Sequence, residues 1–512
     1  MARPDLPAVP DPALLDLRDE AVSRPALEAF GTDVWREALD WLYGHAMRRP
    51  IAPAGYRASR ATFFGPSDRP GAAPDVGTPA TEVLREFRER VAPMTFNAHH
   101  PGSFSYFTPP PLTMSVAGEV LSQWMQQGVD VWHAGPVGAF VEEEVVRWLV
   151  DLVGMPGDDA GGVLTSGGVM ANLMALALAR DVHLPTLRGE TGPPRGARLE
   201  AVRVYASDQA HFSIARGLDV LGFPPDTLVV VEADRTFRLR PDGVAAAIER
   251  DLAEGVTPLA ICAVAGSTNT GSVDDVPELS TLARRHDMWL HVDGAYGAAA
   301  RLSRRDAGRV PGLELADSVT VDPHKWFFQA YDIGALVVRR RGDLLRTFHR
   351  APEYYASNRP GDDPLDWYQY SLEGTRRFRA LKLWMSWKHL GTEGLGGLVE
   401  HNVDLAAYLA QVLVEAPDFE IAVAPDLSVV CFRHLPPVLI GADADRIDAY
   451  QTALQRALEV DGTAWVSVTT LHGRMHMRAG VVNYFATRAE IDAMVVALRD
   501  LSEGVFEDLD AG

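Results

Sequence analysis

From about Pro111 onward, apolar runs of strand length alternate with stretches of helical period, and this alternation constrains the fold more than any other feature. Strands separated by helices form βαβ units, whose strands lie parallel in one sheet with helices on both faces. The expected strands are Gly162–Thr165, Val202–Ala206, Thr227–Glu232, Leu259–Ala265, Met288–Val292, Ser318–Val321 and Ala335–Arg339. The fold class is therefore α/β with a mostly parallel central sheet. After Ala380 a long amphipathic helix leads into a smaller α+β region, where SVVCFRHL and RMHMRAGVVNYF read as strands and RAEIDAMVVALRDL as a closing helix. Before the sheet, Ile51 to Pro79 carries many Pro, Gly, Ala and Ser residues without a sustained period, and reads as an ordered loop or arm after an N-terminal helical piece. These boundaries give three parts: a helical arm over 1–112, a large α/β domain over 113–382 and a small α+β domain over 383–512.

Charge and composition narrow the partners. Lys and Arg number 48 against 69 Asp and Glu, a formal charge of −21, which argues against nucleic acid or an anionic membrane surface as a main partner. The two cysteines, Cys262 and Cys431, lie in apolar strand-like runs, so neither a disulfide framework nor a cysteine metal cluster can be assembled. The opening MARPDLPAVPDPALLDLRDE is proline-rich and acidic, where an export signal needs a basic start and an apolar stretch. Apolar runs such as Met170 to Ala179 fall short of the roughly 18 residues of a membrane span. A cytoplasmic protein is expected.

Three short segments carry chemistry. SVTVDPHKWFF places Lys325 just after an apolar strand, at the carboxyl edge of a parallel sheet, where open α/β folds bind ligands. HVDGAYG ends the preceding apolar strand with Asp293, which should reach the same crevice. A lysine able to bond an aldehyde and a carboxylate able to pair with a pyridinium nitrogen are the two groups that pyridoxal phosphate demands of a protein. GGVLTSGGVMANLMALALAR then supplies a strand, a glycine turn at Gly167 and Gly168, and an apolar helix whose free N–H groups can hold a phosphate.

With these segments in place, the chain resembles the pyridoxal-phosphate group II amino acid decarboxylases, among them the aromatic-L-amino-acid, histidine, glutamate and diaminobutyrate decarboxylases. The resemblance runs from about Asn97 to Arg488 through YASDQAHFSIARG, GSTNTGSVDD, WLHVDGAYG, VDPHKW and GTRRFRALKLW, in the family's order. It implies a fold-type-I pyridoxal-phosphate enzyme that decarboxylates an L-amino acid as a homodimer, with the active site shared between subunits and the N-terminal segment wrapping the partner. Lys325 is similar to the lysine that bonds the cofactor, Asp293 to the carboxylate on its ring nitrogen, and His211 to the histidine that stacks on the ring and faces the substrate carboxylate. Thr268 corresponds to the threonine beneath the ring, and His324 to the neighbour of the lysine that contacts the phosphate. Tyr354, in RAPEYYASNRPGDDPLDWY, matches the lid tyrosine that protonates the substrate carbon after carbon dioxide leaves, with Tyr355 as the adjacent rival. Relatives that release aldehydes typically have phenylalanine there, so a tyrosine implies simple decarboxylation.

Two departures bear on affinity and specificity. Relatives commonly carry a hydroxyl residue and a glutamate where this chain has Val169 and Met170, so one phosphate hydrogen bond is missing. Ser166 and the N–H groups of Gly168 and Val169 are expected to compensate, or cofactor affinity to be lower. Glu373 stands where several aromatic decarboxylases have proline. In HHPGSFSYFTPPPL, Phe104, Tyr106 and Phe107, with Trp132, are expected to line an apolar substrate slot, and no extra arginine announces an acidic substrate. The expected substrate is an aromatic or bulky apolar L-amino acid. Diaminobutyrate decarboxylation, oxidative deamination to an aldehyde, transamination and a non-catalytic binding protein stay open as alternatives.

Overall fold

A computed structural model describes residues 10–51, 55–65, 69–184, 199, 201–350 and 365–511. The chain divides into two compact units: Met1–Phe104 with Asp443–Ser467 and Phe485–Gly512, and Ser105–Ala442 with Val468–Tyr484.

The first unit is mainly helical. Its long elements are Glu20–Trp41, Ala444–Asp461 and Arg488–Ala511. The last two are joined by Tyr450, which stacks on Phe506 at 4.5 Å while its hydroxyl donates to Ser502 Oγ at 2.9 Å. Within the segment expected to be an arm, Tyr56–Phe64 is a helix. Its period is masked in the sequence by the surrounding Pro and Gly, and Arg60 lies over the Phe64 ring at 4.9 Å one turn on.

The second unit is built on a seven-stranded sheet of order β1-β7-β6-β5-β4-β2-β3. The strands are Gly161–Thr165 (β1), Val202–Ser207 (β2), Leu228–Val231 (β3), Thr257–Val264 (β4), Trp289–Asp293 (β5), Ser318–Val321 (β6) and Gly334–Val338 (β7). All seven expected strands are present within a residue or two. β3 begins a residue later than expected because Pro225–Thr227 closes a tight turn before it. Parallel pairing joins β3, β2, β4, β5 and β6, whereas β7 runs against both β6 and β1. β1 therefore points the same way as β6, and the carboxyl ends of six strands share one edge.

Every residue of β1, β5, β6 and β7 is buried, as expected for strands covered on both faces. The covering helices include Pro136–Val153, Gly168–His183 and Val276–Arg285. Trp289, Trp326 and Trp367 are the largest fully buried side chains. Trp326 escapes the cost of an unpaired indole by donating to Asn402 Oδ1 at 3.0 Å. Asn402 stands on Ala380–Glu415, the long helix anticipated after Ala380, which is interrupted at Gly391 with φ +66°.

A second, antiparallel sheet has the order β10-β11-β9-β8, from Phe419–Ile421 (β8), Val429–His434 (β9), Ser467–Leu471 (β10) and Arg474–Gly480 (β11). The strand expected over RMHMRAGVVNYF stops at Gly480, where the Val482 N–H turns back to the Gly480 carbonyl. Among the described residues no helix is long and apolar enough to cross a membrane.

Candidate active site

Along the shared carboxyl edge of the large sheet opens a cavity of about 370 Å³. Each strand delivers its residues there through the turn that follows it: Ser166–Gly168 after β1, His211 after β2, Thr268 after β4, Asp293 at the end of β5, and His324 and Lys325 after β6. Val169 and Phe107 complete the expected residues in its lining.

The turn after β6 is short because the Lys325 N–H closes on the Asp322 carbonyl at 2.9 Å. It points Lys325 Nζ into the cavity, 3.3 Å from Asp322 Oδ2 and 5.9 Å from the centre of the Phe107 ring. His324 is almost fully buried, and Nδ1 accepts the Ile333 N–H at 3.3 Å, leaving Nε2 3.6 Å from Asp322 Oδ2. Burial pulls its pKa below the ordinary histidine value, against the nearby Asp322 charge.

Asp293 closes β5 with its carboxylate held twice: Oδ1 accepts the Ala295 N–H at 3.1 Å and Oδ2 accepts from Asn172 Nδ2 at 2.8 Å. His211 lies against Phe212, ring centres 4.1 Å apart, and its Nδ1 is 2.8 Å from Ser213 Oγ. Its pKa is lowered by burial, with Asp293 pulling the other way.

Thr268 projects from a loop that opens with Gly266 at φ +92°, where a Cβ would lie 2.7 Å from the Tyr296 ring. Arg478 Nε donates to the Asn269 carbonyl at 3.1 Å and Thr469 Oγ1 to Asn269 Oδ1 at 3.0 Å, so β10 and β11 pin this loop. Phe107 stacks on Tyr296 at 4.1 Å, and Tyr296 on Trp326 at 4.8 Å, an aromatic column running from the cavity into the core.

Other expected residues lie elsewhere. Tyr106 is 59% exposed at φ +59°, and Trp132 packs against the core from a turn whose N–H donates to Asp366 Oδ1; neither lines the cavity. Phe104 belongs to the first unit, buried, with its N–H on the Trp465 carbonyl. Tyr354 and Tyr355 are outside the described residues. Sequence reasoning passed over Asn172, Phe212, Tyr296 and Asp322, all in the lining. Each flanks a residue it did select or sits in the same motif, so proximity to the motifs was the available signal.

The lining suits pyridoxal phosphate. At the amino end of Gly168–His183 the first intrahelical bond is from Ala171 N–H to the Gly167 carbonyl, so the earlier N–H groups are left for an anion. A Cβ on Gly168 would meet Asp322 Oδ2 at 2.9 Å and Ala295 Cβ at 3.3 Å, and one on Gly167 would meet the His324 ring at 3.1 Å, so this cradle has room only for backbone. An amine and a carboxylate, Lys325 and Asp293, stand in the same cavity.

Comparison with known proteins agrees. A family model described as "Pyridoxal-dependent decarboxylase conserved domain" matches residues 67–435. The chain is 33% identical to an aromatic-L-amino-acid decarboxylase of Bacillus atrophaeus over 84% of its length and 87% of that protein. It is 32% identical to an L-2,4-diaminobutyrate decarboxylase of Rhizobium meliloti over 80% of its length and 79% of that protein. In fold it is similar to Oryza sativa TDC solved with PLP and tryptamine, at a TM-score of 0.86 and 24% identity, covering 93% of this chain and 98% of that one. The chain belongs to the pyridoxal-dependent decarboxylase family and is a pyridoxal-phosphate enzyme that decarboxylates an amino acid.

Proposed function

We propose that this enzyme converts an aromatic or bulky apolar L-amino acid to its amine and carbon dioxide, working in the cytoplasm as a homodimer with a shared active site. The observation that carries the substrate class is the cavity wall. Phe107, Phe212 and Tyr296 present aromatic surface, and the described lining has Lys325 as its cation and no arginine to receive an acidic side chain. A second copy would cover the apolar residues that helix Thr113–Met125 exposes, among them Leu121 and Trp124, together with Phe140 on the next helix. Two buried thiols, Cys262 and Cys431, suit a reducing compartment.

When bound, pyridoxal phosphate supplies the electron sink that cleavage of the carboxylate from Cα requires. Lys325 would hold the cofactor through Nζ, and Ser166, Gly167, Gly168 and Val169 with His324 would take its phosphate. Asp293 would keep its ring nitrogen protonated, His211 would cover the ring and meet the substrate carboxylate, and Thr268 would lie beneath the ring. Tyr354, placed by resemblance alone, would return a proton to Cα.

The test is to load the purified protein with pyridoxal phosphate and assay a panel of L-amino acids for carbon dioxide, amine, aldehyde and peroxide together. Amine with equimolar carbon dioxide from an aromatic substrate, and loss of both turnover and the visible absorbance in Lys325→Ala, are expected. Preference for diaminobutyrate would overturn the substrate class, and aldehyde with peroxide the product.

A further inference from the structure

Asn172 is the fifth residue of helix Gly168–His183, 1% exposed, and every hydrogen-bonding position of its amide is used. Nδ2 donates to Asp293 Oδ2 and to Ser213 Oγ, both at 2.8 Å. Oδ1 accepts from Thr320 Oγ1 at 2.6 Å and lies 3.0 Å from His291 Nε2. Two N–H groups and two lone pairs are all that an amide offers. Its orientation is fixed by chemistry, since a carboxylate accepts and so requires the amide nitrogen on its side.

The direction of each bond then propagates. Trp289 Nε1–H can only donate, and it donates to Ser318 Oγ at 2.8 Å. His291 Nε2 faces Asn172 Oδ1, which can only accept, so His291 carries its proton on Nε2. With the ring neutral, its Nδ1 then takes the Ser318 hydrogen from 2.9 Å away. On the far side Ser213 Oγ receives a hydrogen from Asn172 and lies 2.8 Å from His211 Nδ1. The Ser213 backbone N–H donates to that same nitrogen, at 3.4 Å. A ring nitrogen that accepts a backbone N–H carries no proton of its own, so the Ser213 hydroxyl gives its hydrogen there as well. His211 lines the cavity, and with Nδ1 turned to Ser213 its Nε2 is the nitrogen left for the cavity.

We propose that Asn172 is a positioning residue whose single amide both holds the Asp293 carboxylate in place and, through Ser213, sets His211 as the Nε2–H tautomer, so that the imidazole offers a donor to an anionic group in the cavity. Two groups, Asp293 at the end of β5 and His211 in the turn after β2, one assigned to the cofactor and one to the substrate, are thereby tied to one side chain. Burial, which lowers the His211 pKa, agrees with a neutral ring. The inference rests on the places proposed above for Asp293 and His211, yet what it asserts is a proton on a named nitrogen, which can be observed without turnover.

The experiment is nitrogen NMR of the holoenzyme labelled with ¹⁵N-histidine, the His211 resonances being identified by their loss in His211→Asn. The expected wild-type result is an unprotonated, hydrogen-bonded Nδ1 and a protonated Nε2. In Ser213→Ala the Nδ1 resonance should move downfield, because the hydroxyl donor is gone. In Asn172→Asp the nitrogen facing Ser213 becomes an oxygen, and any hydrogen on it is taken by Asp293. Ser213 must then donate to that oxygen and accept from His211, and the proton should move to Nδ1. A wild-type ring protonated on Nδ1, or an Nδ1 resonance unmoved in Ser213→Ala, overturns the proposal, and so does a folded Asn172→Asp that keeps Nε2–H alone. Should Asn172→Asp fail to fold, the other two measurements decide. Failure of the decarboxylase reading would be seen separately, as no carbon dioxide released while the tautomer is as expected.

Discussion

Arg376 and Glu142 form a fully buried ion pair, and both also bond the backbone of one residue: Glu142 Oε1 accepts the Leu164 N–H at 3.1 Å while Arg376 Nη1 donates to the Leu164 carbonyl at 3.0 Å. Leu164 is the fourth residue of β1, so this pair clamps the edge strand immediately before the phosphate turn. Removing one partner of a buried pair strands the other charge, which costs about 3–5 kcal/mol. Arg376→Met should therefore lower stability by about that amount, and adding Glu142→Leu should recover part of it. Urea unfolding of the single and double variants measures both; a double variant no better than the single would mean that the carboxylate is not what the arginine neutralises.

Gly168→Ala tests the backbone cradle. The added methyl would press on Asp322 Oδ2, and Asp322 is the ion-pair partner of Lys325. Cofactor affinity should fall by about tenfold or more, a shift of ~1.4 kcal/mol. Fluorescence titration of the apoprotein with pyridoxal phosphate reads it, and wild-type affinity would show that the carboxylate gives way without disturbing the site.

Val169→Thr is the converse test. Val169 lines the cavity at the start of the helix, and threonine has nearly its shape but adds a hydroxyl. One more hydrogen bond to the phosphate, worth about 0.5–1.5 kcal/mol, should tighten cofactor binding by about two- to tenfold. Unchanged or weaker binding would mean that Ser166 and the N–H groups already satisfy the phosphate.

How much of this could be read from the chain depends on whether a residue's role is local. Asp293 ends an apolar strand and Lys325 lies in the turn just after another, and the rule that ligands sit at the carboxyl edge of a parallel sheet converts that into a position in space. Gly167 and Gly168 were equally legible, as a glycine turn between a strand and a helix. Asn172 was not: near the start of a helix an asparagine reads as one more polar residue, and its four bonds come from His291, Ser213, Thr320 and Asp293, far apart in the chain. The aromatic cluster around Phe104 failed to separate for a related reason. Phe104 is buried, Tyr106 exposed and Phe107 in the cavity wall within four positions, since backbone turns rather than local composition decide where each ring goes.

Tyr354→Phe addresses the product. With the phenol removed, no hydroxyl at that position can return a proton to Cα, and the product should shift from amine toward aldehyde and ammonia. Amine, aldehyde and peroxide measured together on one substrate decide it. An unchanged amine yield would assign the role to Tyr355, and the same substitution there would then move the products.

His291 gives the chain an acid-sensitive core. Buried and donating to Asn172, its imidazole is pushed down to about 4 by desolvation, from an ordinary value of 6.5. Between those values the unfolded chain binds a proton that the folded chain refuses, so stability is full above about pH 6.5 and falls as the pH drops toward 4. The gap corresponds to ~3 kcal/mol. Asp274 acts in the opposite sense, because burial raises its carboxyl to about 6 and its contribution is lost as the pH rises toward that value. The total slope therefore hides the histidine, and the comparison that isolates it is His291→Gln, which keeps an N–H donor but cannot titrate. Urea midpoints from pH 7 to pH 4 should fall more steeply in the wild type than in this variant, by the equivalent of ~3 kcal/mol. Parallel curves would mean that His291 takes up a proton as readily in the fold as in the unfolded chain, with Nε2 still donating to Asn172 and Ser318 then accepting from Nδ1.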